Sequence, residues 1–378
     1  MMRSEIMRRT IKMAAFSALA MIITCLGGCG DSNDGSGAYL DEPFFVTATV
    51  ETDSIPNGGD AADDLCIWIH PTDLSKSLIV GTDKRGGIGV YDLSGREIQY
   101  RADGKMNNVD IRYNFPLGGD DVALVTATNL GEDTIAIYTI NTATGELEPV
   151  AVGVIDTGIS VYGLCMYHSP ISGKYYSFVT STNGTVQQWE LFDNGSGLVD
   201  ASLERTFDVG SGAEGCVADD EAALLYVGEE NDAIWRYGAE PGDGEERLLV
   251  DRTGNHFMSD VEGLTIYYAG KAGGYLIASS QGNSTFVIYE RDGTNEYVTT
   301  FAIEAENDID AVSTTDGIDV VNIFLNDDFP EGVFVAQDNN NSKGEHQNFK
   351  LVPWESIANS ANPPLVIDLS WDPRLVGS

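Results

Sequence analysis

The segment Asp260-Val261-Glu262-Gly263-Leu264-Thr265-Ile266-Tyr267-Tyr268 places a carboxylate beside a glycine and continues as a hydrophobic run. Related signatures occur six times along the chain, as Asp63-Asp64-Leu65, Asn108-Val109-Asp110, Tyr162-Gly163-Leu164, Glu214-Gly215-Cys216, Glu262-Gly263-Leu264 and Asp316-Gly317-Ile318. A repeat of about fifty residues with strand-like content predicts an all-β fold, a propeller of six similar sheets. Equivalent positions of the six sheets meet near one axis, so four of the copies would direct carboxylates to a common mouth. Carboxylates crowded in this way repel one another unless cations hold them.

A second repeat, out of phase with the first, has the same period. Its members are strands that carry a large aromatic residue: Tyr91, Tyr138, Trp189, Trp235, Tyr289 and Phe349. We therefore expect each blade to have an inner strand with the signature, an outer strand with the aromatic residue and two strands between them. This gives six four-stranded antiparallel blades over residues 42–378, although the pattern also allows five or seven blades.

Two further features of the propeller are predicted. Ring closure should bring the first strand, residues 44–52, into the final blade, because closure removes exposed sheet edges. A short turn of helix is expected at residues 354–358, since no long helical period occurs after the N-terminal segment.

The N-terminal residues 1–28 have the pattern of a lipoprotein signal peptide. Basic residues precede an apolar run at 13–26, which is too short for a stable membrane span. The ending Leu26-Gly27-Gly28-Cys29 resembles a bacterial lipobox, which implies cleavage before Cys29 and a lipid on its sulfur; an ordinary signal peptide cut nearby is the alternative. Because Gly30 rather than an acidic residue follows, we expect secretion across the inner membrane and an outer-membrane lipoprotein, periplasmic or on the cell surface. Residues 29–41 would form a flexible tether, with membrane contact only through Cys29.

The net charge of the chain is −38 at pH 7. Removal of residues 1–28, with four basic residues and one acidic residue, leaves about −41. Such a protein has little with which to neutralise phosphates, so nucleic acid is excluded as a partner. A solvated acidic surface accounts for much of this charge, and bound divalent cations are expected for a subset of the acids.

Three cysteines, Cys66, Cys165 and Cys216, remain after Cys25 and Cys29 are set aside. Each lies in an apolar run directly after a signature. Their odd number and wide spacing argue against a disulfide framework or a zinc site. We expect three buried, unreactive thiols, and we expect a monomer.

Several specific segments lie in a fixed order between about residues 44 and 354. They are Gly81-Thr82-Asp83-Lys84-Arg85-Gly86-Gly87, Met106-Asn107-Asn108-Val109-Asp110-Ile111-Arg112-Tyr113, and the segments 60–64, 67–68, 218–221, 260–268, 279–284, 315–320 and 334–338. Together they resemble the β-propeller phytases, the bacterial alkaline, calcium-dependent 3-phytases.

The resemblance implies calcium-dependent hydrolysis of phosphomonoesters from phytate, myo-inositol hexakisphosphate. A site lined by carboxylates alone would repel this polyanion, and several Ca²⁺ ions would reverse the sign of the field and make a water molecule more acidic. By resemblance, the calcium ligands are Glu51, Asp63, Glu214, Glu230, Glu262, Asp310 and Asp316, with Asp64 and Asp338 at structural calcium sites. The resemblance implies four catalytic residues: Lys84, Arg85, Tyr162 and Glu262. Lys84 and Arg85 would hold substrate phosphates, and Tyr162 would donate a hydrogen bond to a phosphate oxygen.

The chain departs from the family where basic residues are expected. Leu130 and Thr182 stand where the family has an arginine and a lysine that contact substrate phosphate, and Ser160 stands where an acid is common. Each lost contact would typically cost about 1.5–3 kcal/mol, which predicts reduced activity or a shifted substrate preference. The alternative is a non-catalytic, calcium-stabilised propeller that binds phytate or another phosphate-rich ligand. A lactonase-like or sugar-binding propeller would share the fold but leaves the phytase-like segments unexplained.

Overall fold

Six β-sheets make up most of the chain that the structure, a computed structural model, describes: residues 42–270, 273–342 and 346–376. The signal peptide predicted at 1–28, the proposed lipid site Cys29 and the tether predicted at 29–41 lie outside these residues. Among the described residues, no helix is long and apolar enough to cross a membrane.

The strands follow one another in chain order. Two short strands come first, β1 (Phe44–Thr47) and β2 (Val50–Glu51). Blade 1 contains β3 (Ala62–Trp68), β4 (Leu78–Asp83), β5 (Gly87–Asp92) and β6 (Glu97–Arg101). Blade 2 contains β7 (Met106–Leu117), β8 (Asp120–Asn129), β9 (Thr134–Ile140) and β10 (Leu147–Pro149), with the two-residue β11 (Ile155–Asp156) also paired to β9. Blade 3 contains β12 (Val161–His168), β13 (Tyr175–Ser181), β14 (Thr185–Asp193) and β15 (Val199–Asp208).

The second half of the chain repeats this pattern. Blade 4 contains β16 (Ala213–Asp219), β17 (Leu224–Glu229), β18 (Ala233–Gly238) and β19 (Arg247–Arg252). Blade 5 contains β20 (Val261–Ala269), β21 (Gly273–Ser280), β22 (Thr285–Glu290) and β23 (Tyr297–Glu304). Blade 6 contains β24 (Ile318–Val321), β25 (Val333–Asp338) and β26 (Asn348–Pro353), and the helical segments are α1 (Trp354–Ser360) and three short 3₁₀ turns, Leu74–Lys76, Gln281–Asn283 and Pro373–Leu375.

The first strand of each blade lies at one edge of its sheet and contacts the first strands of both neighbouring blades. These six strands therefore surround the central axis, and the prediction of a six-bladed propeller with antiparallel blades is confirmed. The signatures lie on these inner strands or, in blade 6, directly before one. The short helix predicted near residue 354 is also confirmed, as α1.

The aromatic strand was assigned wrongly to the outer edge of each blade. Tyr91, Tyr289 and Phe349 lie on the third strand, β5, β22 and β26, and a fourth strand follows outside it. The reason is burial: all three rings are at most 1% exposed, whereas the outer strand β19 leaves Leu248 58% exposed. Large rings are buried to best effect between two blades, and an outer strand offers only one covered face.

The N-terminal strand closes the ring in two pieces. β2 pairs antiparallel with β26 and supplies the fourth strand of blade 6, as predicted for residues 44–52. β1 instead pairs in parallel with β23 and adds a fifth strand to blade 5. The expectation of one strand in the final blade is therefore correct only for β2. Both pairings cover a sheet edge that would otherwise be exposed.

The hydrophobic core lies between adjacent blades. Its members include the three free cysteines, Cys66, Cys165 and Cys216, which are all buried as predicted. The helix α1 joins the core through Trp354, whose ring stacks on Tyr267 with the centroids 4.1 Å apart. The core therefore fixes the blades against one another and leaves the polar signatures to define the axis.

Candidate active site

A β-bulge at the start of the inner strand positions the signature residues. In blade 1, Ala62 pairs with Asp83 and Leu65 with Gly81, so that β3 has one residue more than β4 over this stretch. The same shift occurs at the start of β7, β12, β16 and β20. A bulge redirects the side chains that it contains. Six residues define what we call the mouth. Five are the first residues of the bulges and the sixth lies two positions before β24 in blade 6: Asp63, Asn107, Tyr162, Glu214, Glu262 and Asp316.

The bulge corrects the second copy of the signature. The sequence pattern placed it at Asn108-Val109-Asp110, whereas the bulge contains Asn107 and Asn108. The amide of Asn107 donates to Glu214 Oε1 at 2.5 Å, from blade 2 to blade 4. Asp110 lies further along the strand and pairs with Arg112 at 3.0 Å. Blade 2 therefore contributes an amide to the mouth and no carboxylate.

Glycine follows the mouth residue where neighbouring inner strands come closest. A Cβ atom on Gly163 would lie 1.7 Å from the carbonyl oxygen of Glu214, and one on Gly215 would lie 1.8 Å from that of Glu262. The backbone of one blade thus occupies the space that a side chain of the previous blade would need. These glycines bring successive mouth residues close together.

Lys84 is the cation at the centre of the carboxylates. It follows β4, and its ammonium lies 2.8 Å from Asp63 Oδ2, 2.8 Å from Asp60 Oδ1 and 3.1 Å from Asp316 Oδ2. Burial lowers the pKa of Lys84, but the charges of Asp63 and Asp316 outweigh burial and raise it above its ordinary value. Arg85 is exposed, and its Nε donates to the Asp60 carbonyl at 2.8 Å. The two predicted phosphate-binding cations therefore lie beside the mouth, and Lys84 already contacts three acids.

The mouth disfavours negative charge. Burial raises the pKa of Asp63, Glu214 and Glu262 well above the usual range. Neighbouring carboxylates add to this effect, since the charge of Glu214 acts on Asp63 and that of Glu262 acts on Glu214. The pKa of Asp316 is also raised by burial, although Lys84 opposes the shift. Cation binding here would relieve unfavourable charge.

Tyr162 connects the mouth to Glu230. Its hydroxyl lies close enough to Glu214 and Glu230 for the charges of both carboxylates to act on it. Burial, and then the charges of Glu214 and Glu262, raise the pKa of Tyr162, so the hydroxyl keeps its proton and remains a donor. Burial and the nearby charge of Asp260 also raise the pKa of Glu230. The structure thus brings both predicted residues to the mouth.

The chemistry of the mouth fits a hard cation such as calcium. Asp63 Oδ1, Glu262 Oε2 and Asn107 Oδ1 are buried and have no hydrogen-bond donor. Buried oxygens without a donor are costly, and carboxylate and amide oxygens are the ligands that calcium prefers. Among the described residues, no three histidine, cysteine, aspartate or glutamate side chains already meet at one point as metal ligands. In the mouth, Lys84 contacts Asp63 and Asp316 instead, so these two acids would have to exchange the lysine for a cation.

Three of the other predicted calcium ligands surround a buried lysine instead. The ammonium of Lys350, on β26, lies 2.6 Å from Asp338, 2.8 Å from Asp310 and 3.7 Å from Glu51. We call these four residues the Lys350 cluster. Sequence reasoning missed Lys350; the available signal was a lysine beside the buried aromatic residue of a strand, in Asn348-Phe349-Lys350-Leu351.

Asp64 points away from the mouth residues. It is the second residue of its bulge, and its Oδ2 accepts from the Val109 amide at 3.1 Å and from Asn108 Nδ2 at 3.3 Å. Burial raises the pKa of Asp64 well above its ordinary value. Asp64 thus contacts the start of β7, and its role at a structural calcium site stays a prediction.

The two departures from the family pattern lie at the ends of hairpins. Leu130, after β8, is half-buried and packs on a hydrophobic cluster between blades 2 and 3. Thr182 is exposed in the turn between β13 and β14, and Ser160 is exposed before β12. The side chains of these three residues bring no charge to the blade 2 and blade 3 side of the propeller.

Comparison with known proteins gives a match over nearly the whole chain. The family model described as Phytase matches residues 12–377. The 3-phytase of Bacillus subtilis (strain 168) is 46% identical over 334 residues, which cover 85% of this chain and 87% of that protein. A solved structure of a nidogen/laminin complex is 12% identical, covers 71% of this chain and 95% of its own, and has a TM-score of 0.43. The last similarity is too distant to bear on the site.

Proposed function

This chain belongs to the phytase family and is a phytase-type hydrolase, and we propose that it releases phosphate from phytate with several Ca²⁺ ions bound at the mouth. The observation that carries this proposal is the set of four inner-strand carboxylates, Asp63, Glu214, Glu262 and Asp316, whose pKa values are raised by burial. Two of them carry buried oxygens without a donor. Bound cations would remove both unfavourable features.

The oxygen-bearing side chains of the mouth and its neighbour Glu230 would bind the metal ions. Asp63, Glu214, Glu230, Glu262 and Asp316 would hold the ions, with Asn107 as an additional oxygen donor. Bound calcium would supply a positive field for phosphate oxygens and lower the pKa of a water molecule.

The basic and phenolic groups would act on the substrate directly. Lys84 and Arg85 would orient substrate phosphates as charged donors. Substrate binding by Lys84 requires it to exchange part of its contact with Asp60 for a phosphate oxygen, because its ammonium already contacts three acids. Tyr162, with its proton retained, would donate to a phosphate oxygen and so hold the reacting group in place.

Two further calcium sites are proposed away from the mouth. Asp64 would hold an ion beside the inner strands. Glu51, Asp310 and Asp338 would hold another, in competition with Lys350, which already neutralises part of their charge. These sites would stabilise the fold and take no part in turnover.

Phosphate release from phytate, measured with calcium and with EDTA, tests the proposal. We expect release with calcium and background with EDTA, together with a higher Tm in calcium. A phosphatase activity that persists unchanged in EDTA would contradict the role of calcium. A calcium-dependent Tm without phosphate release at any pH from 5 to 8 would contradict the catalytic proposal.

We also propose secretion and a lipid anchor at Cys29, from the Leu26-Gly27-Gly28-Cys29 sequence. In a bacterial host, radiolabelled palmitate should be incorporated into the full chain and not into Cys29→Ala. Labelling of both proteins, or of neither, would contradict the anchor.

A further inference from the structure

Asp83 is a fully buried carboxylate at the end of β4, directly before Lys84 and Arg85. Three neutral groups donate hydrogen bonds to it. Its Oδ1 accepts from the Arg85 backbone amide at 3.0 Å, and its Oδ2 accepts from Asn57 Nδ2 at 2.8 Å and from the Tyr100 hydroxyl at 2.9 Å. A buried carboxylate is costly unless donors surround it, so these contacts hold three separate segments around one group.

The first of these segments is the turn between β4 and β5, which contains Arg85. The Asp83 side chain accepts from the amide two residues later, and the Asp83 carbonyl accepts from the Gly86 amide at 2.9 Å. This pair of contacts is typical of an aspartate that fixes a tight turn. A Cβ atom on Gly86 would lie 2.3 Å from Asn57 Nδ2 and 2.7 Å from the Tyr100 hydroxyl, so the donors pack directly against the turn. The backbone of Arg85 is therefore fixed by Asp83.

The second segment, residues 57–60, supports the guanidinium of Arg85. Arg85 Nε donates to the Asp60 carbonyl at 2.8 Å, and a Cβ atom on Gly59 would lie 3.3 Å from Arg85 Nη1. Asn57 belongs to the same segment and donates to Asp83 Oδ2. Asp83 thus binds the backbone of Arg85 and also the segment against which its guanidinium lies.

The third segment is β6, the outer strand of blade 1, which provides Tyr100. The Tyr100 hydroxyl also lies 3.4 Å from Asn57 Nδ2. Burial and then the hydrogen bond to Asp83 raise the pKa of Tyr100, so the hydroxyl keeps its proton and remains a donor. Because Tyr100 lies on an outer strand, a substitution there can alter the contacts of Asp83 without changing a residue of the mouth.

We propose that Asp83 is a positioning residue for Arg85, and that Asn57 and Tyr100 act with it. This inference rests on the proposed function, in which Arg85 donates to a substrate phosphate. The guanidinium is exposed at the surface, whereas Asp83 is buried and does not itself reach a substrate. A charged donor that is already in place when the substrate arrives loses less freedom on binding, and its contribution to kcat/KM is larger.

A double-mutant cycle with Arg85→Ala tests the proposal. With calcium present, kcat/KM on phytate should fall about tenfold in Asp83→Asn and about threefold in Tyr100→Phe. In the Arg85→Ala background, the same substitutions should change kcat/KM by less than about twofold, because the residue through which they act is gone. Equal losses in both backgrounds would indicate a purely structural effect and overturn the inference. If Asp83→Asn does not fold, Tyr100→Phe decides the result.

Tyr167→Phe is the matched control for Tyr100→Phe. It also removes a hydroxyl that donates to a carboxylate, Glu240 Oε1 at 2.5 Å, but near the end of β12 that is opposite the mouth residue Tyr162. Its kcat/KM should stay within about twofold of the wild type. The calcium-induced rise in Tm should be as large in Tyr100→Phe as in the wild type, since no proposed metal ligand is altered. Loss of that rise would overturn the inference, because it would show an effect on the metal site.

A binding measurement separates this inference from the proposed function. Calorimetric titration with myo-inositol hexasulfate, which is not hydrolysed, should give a Kd that rises about threefold in Tyr100→Phe and changes little when the substitution is added to Arg85→Ala. If phytate is hydrolysed but neither kcat/KM nor Kd shows this dependence on Arg85, the inference is wrong and the function stands. If no phosphate is released but the Kd shows the dependence, the catalytic function is wrong and the positioning role of Asp83 stands.

Discussion

The backbone of Gly215 in blade 4 lies against the carbonyl oxygen of Glu262 in blade 5, so closely that a Cβ atom would come within 1.8 Å of it. The contact joins two residues of the same signature from neighbouring inner strands. It sets the distance between those strands, and with it the spacing of the mouth carboxylates. A glycine in the signature is therefore a steric requirement of the ring.

Gly215→Ala should destabilise the protein by about 1–3 kcal/mol, because the methyl group forces the two backbones apart. Urea unfolding at pH 7 measures the change. Gly242→Ala is the control, since a Cβ atom there meets nothing within 4 Å. Equal midpoints for the two variants would show that the inner ring is not close-packed.

Glu262→Gln should have opposite effects on stability with and without calcium. In EDTA it removes one of several mutually repelling buried carboxylates, so Tm should stay equal or rise. With calcium it removes a proposed ligand, so the calcium-induced rise in Tm should shrink and kcat/KM on phytate should fall by about a hundredfold or more. Glu146→Gln, at an exposed turn, should change neither value. If calcium raises the Tm of Glu262→Gln as much as that of the wild type, this carboxylate is not a calcium ligand.

Leu130→Arg should improve the affinity for phytate. The position lies opposite Lys105, and the aliphatic part of an arginine can cover the surface that the leucine covers while its guanidinium stays in solvent. We expect the KM for phytate to fall about threefold or more, with little change for p-nitrophenyl phosphate. An unchanged KM would indicate that phosphate groups of the substrate do not reach the turn between β8 and β9.

Asp319→Asn should weaken the dependence of stability on pH. Burial, and then the charge of Asp110, raise the pKa of Asp319 to about 7. Between about pH 4, the value in an unfolded chain, and pH 7, the folded protein keeps a proton that the unfolded chain has lost, so stability falls as pH rises. This penalty, on the order of 4 kcal/mol for a shift of about three pKa units, is absent below about pH 4 and complete above about pH 7.

Urea unfolding at pH 5 and pH 8 in EDTA measures this difference. The loss of stability from pH 5 to pH 8 should be smaller in Asp319→Asn than in the wild type, whatever the absolute stability of the variant. Asp327→Asn, on an exposed loop, should retain the wild-type difference. If both variants lose as much as the wild type, Asp319 is ionised in the folded protein throughout this range.

Much of the propeller could be predicted from the sequence because its repeats are visible as local patterns. The period predicted six blades, although it also allowed five or seven, and the apolar run after each signature identified the inner strand. The predicted position of the aromatic strand was wrong, because contacts with the neighbouring blade determine where Phe349 and its counterparts lie. A Cβ atom on Gly81 would lie 2.2 Å from the Phe349 ring, a contact between residues 268 positions apart that no local pattern shows. The division of residues 44–52 between two blades has the same origin.

The site was predictable for residues on the repeat and much less so for residues outside it. Asp63, Glu214, Glu262 and Asp316 meet because equivalent positions converge on the axis. The prediction placed the mouth residue of blade 2 at Asn108, one position from Asn107. A bulge changes which of two consecutive residues faces inward, and the amino-acid composition of the strand does not show this. The lysines that neutralise the acids, Lys84 and Lys350, reach them from different strands, so only the three-dimensional structure shows which acids already have a partner.

The bulges have a consequence for how such a protein can change over time. A bulge is a property of the backbone and of the residues that flank it, and it turns its first side chain toward the axis whatever that side chain is. The mouth therefore has five positions set by bulges and a sixth before β24, occupied here by Asp, Asn, Tyr, Glu, Glu and Asp in chain order. A single side chain at a bulge can be exchanged without rebuilding the scaffold, which makes the chemistry of this ring easier to alter than its shape.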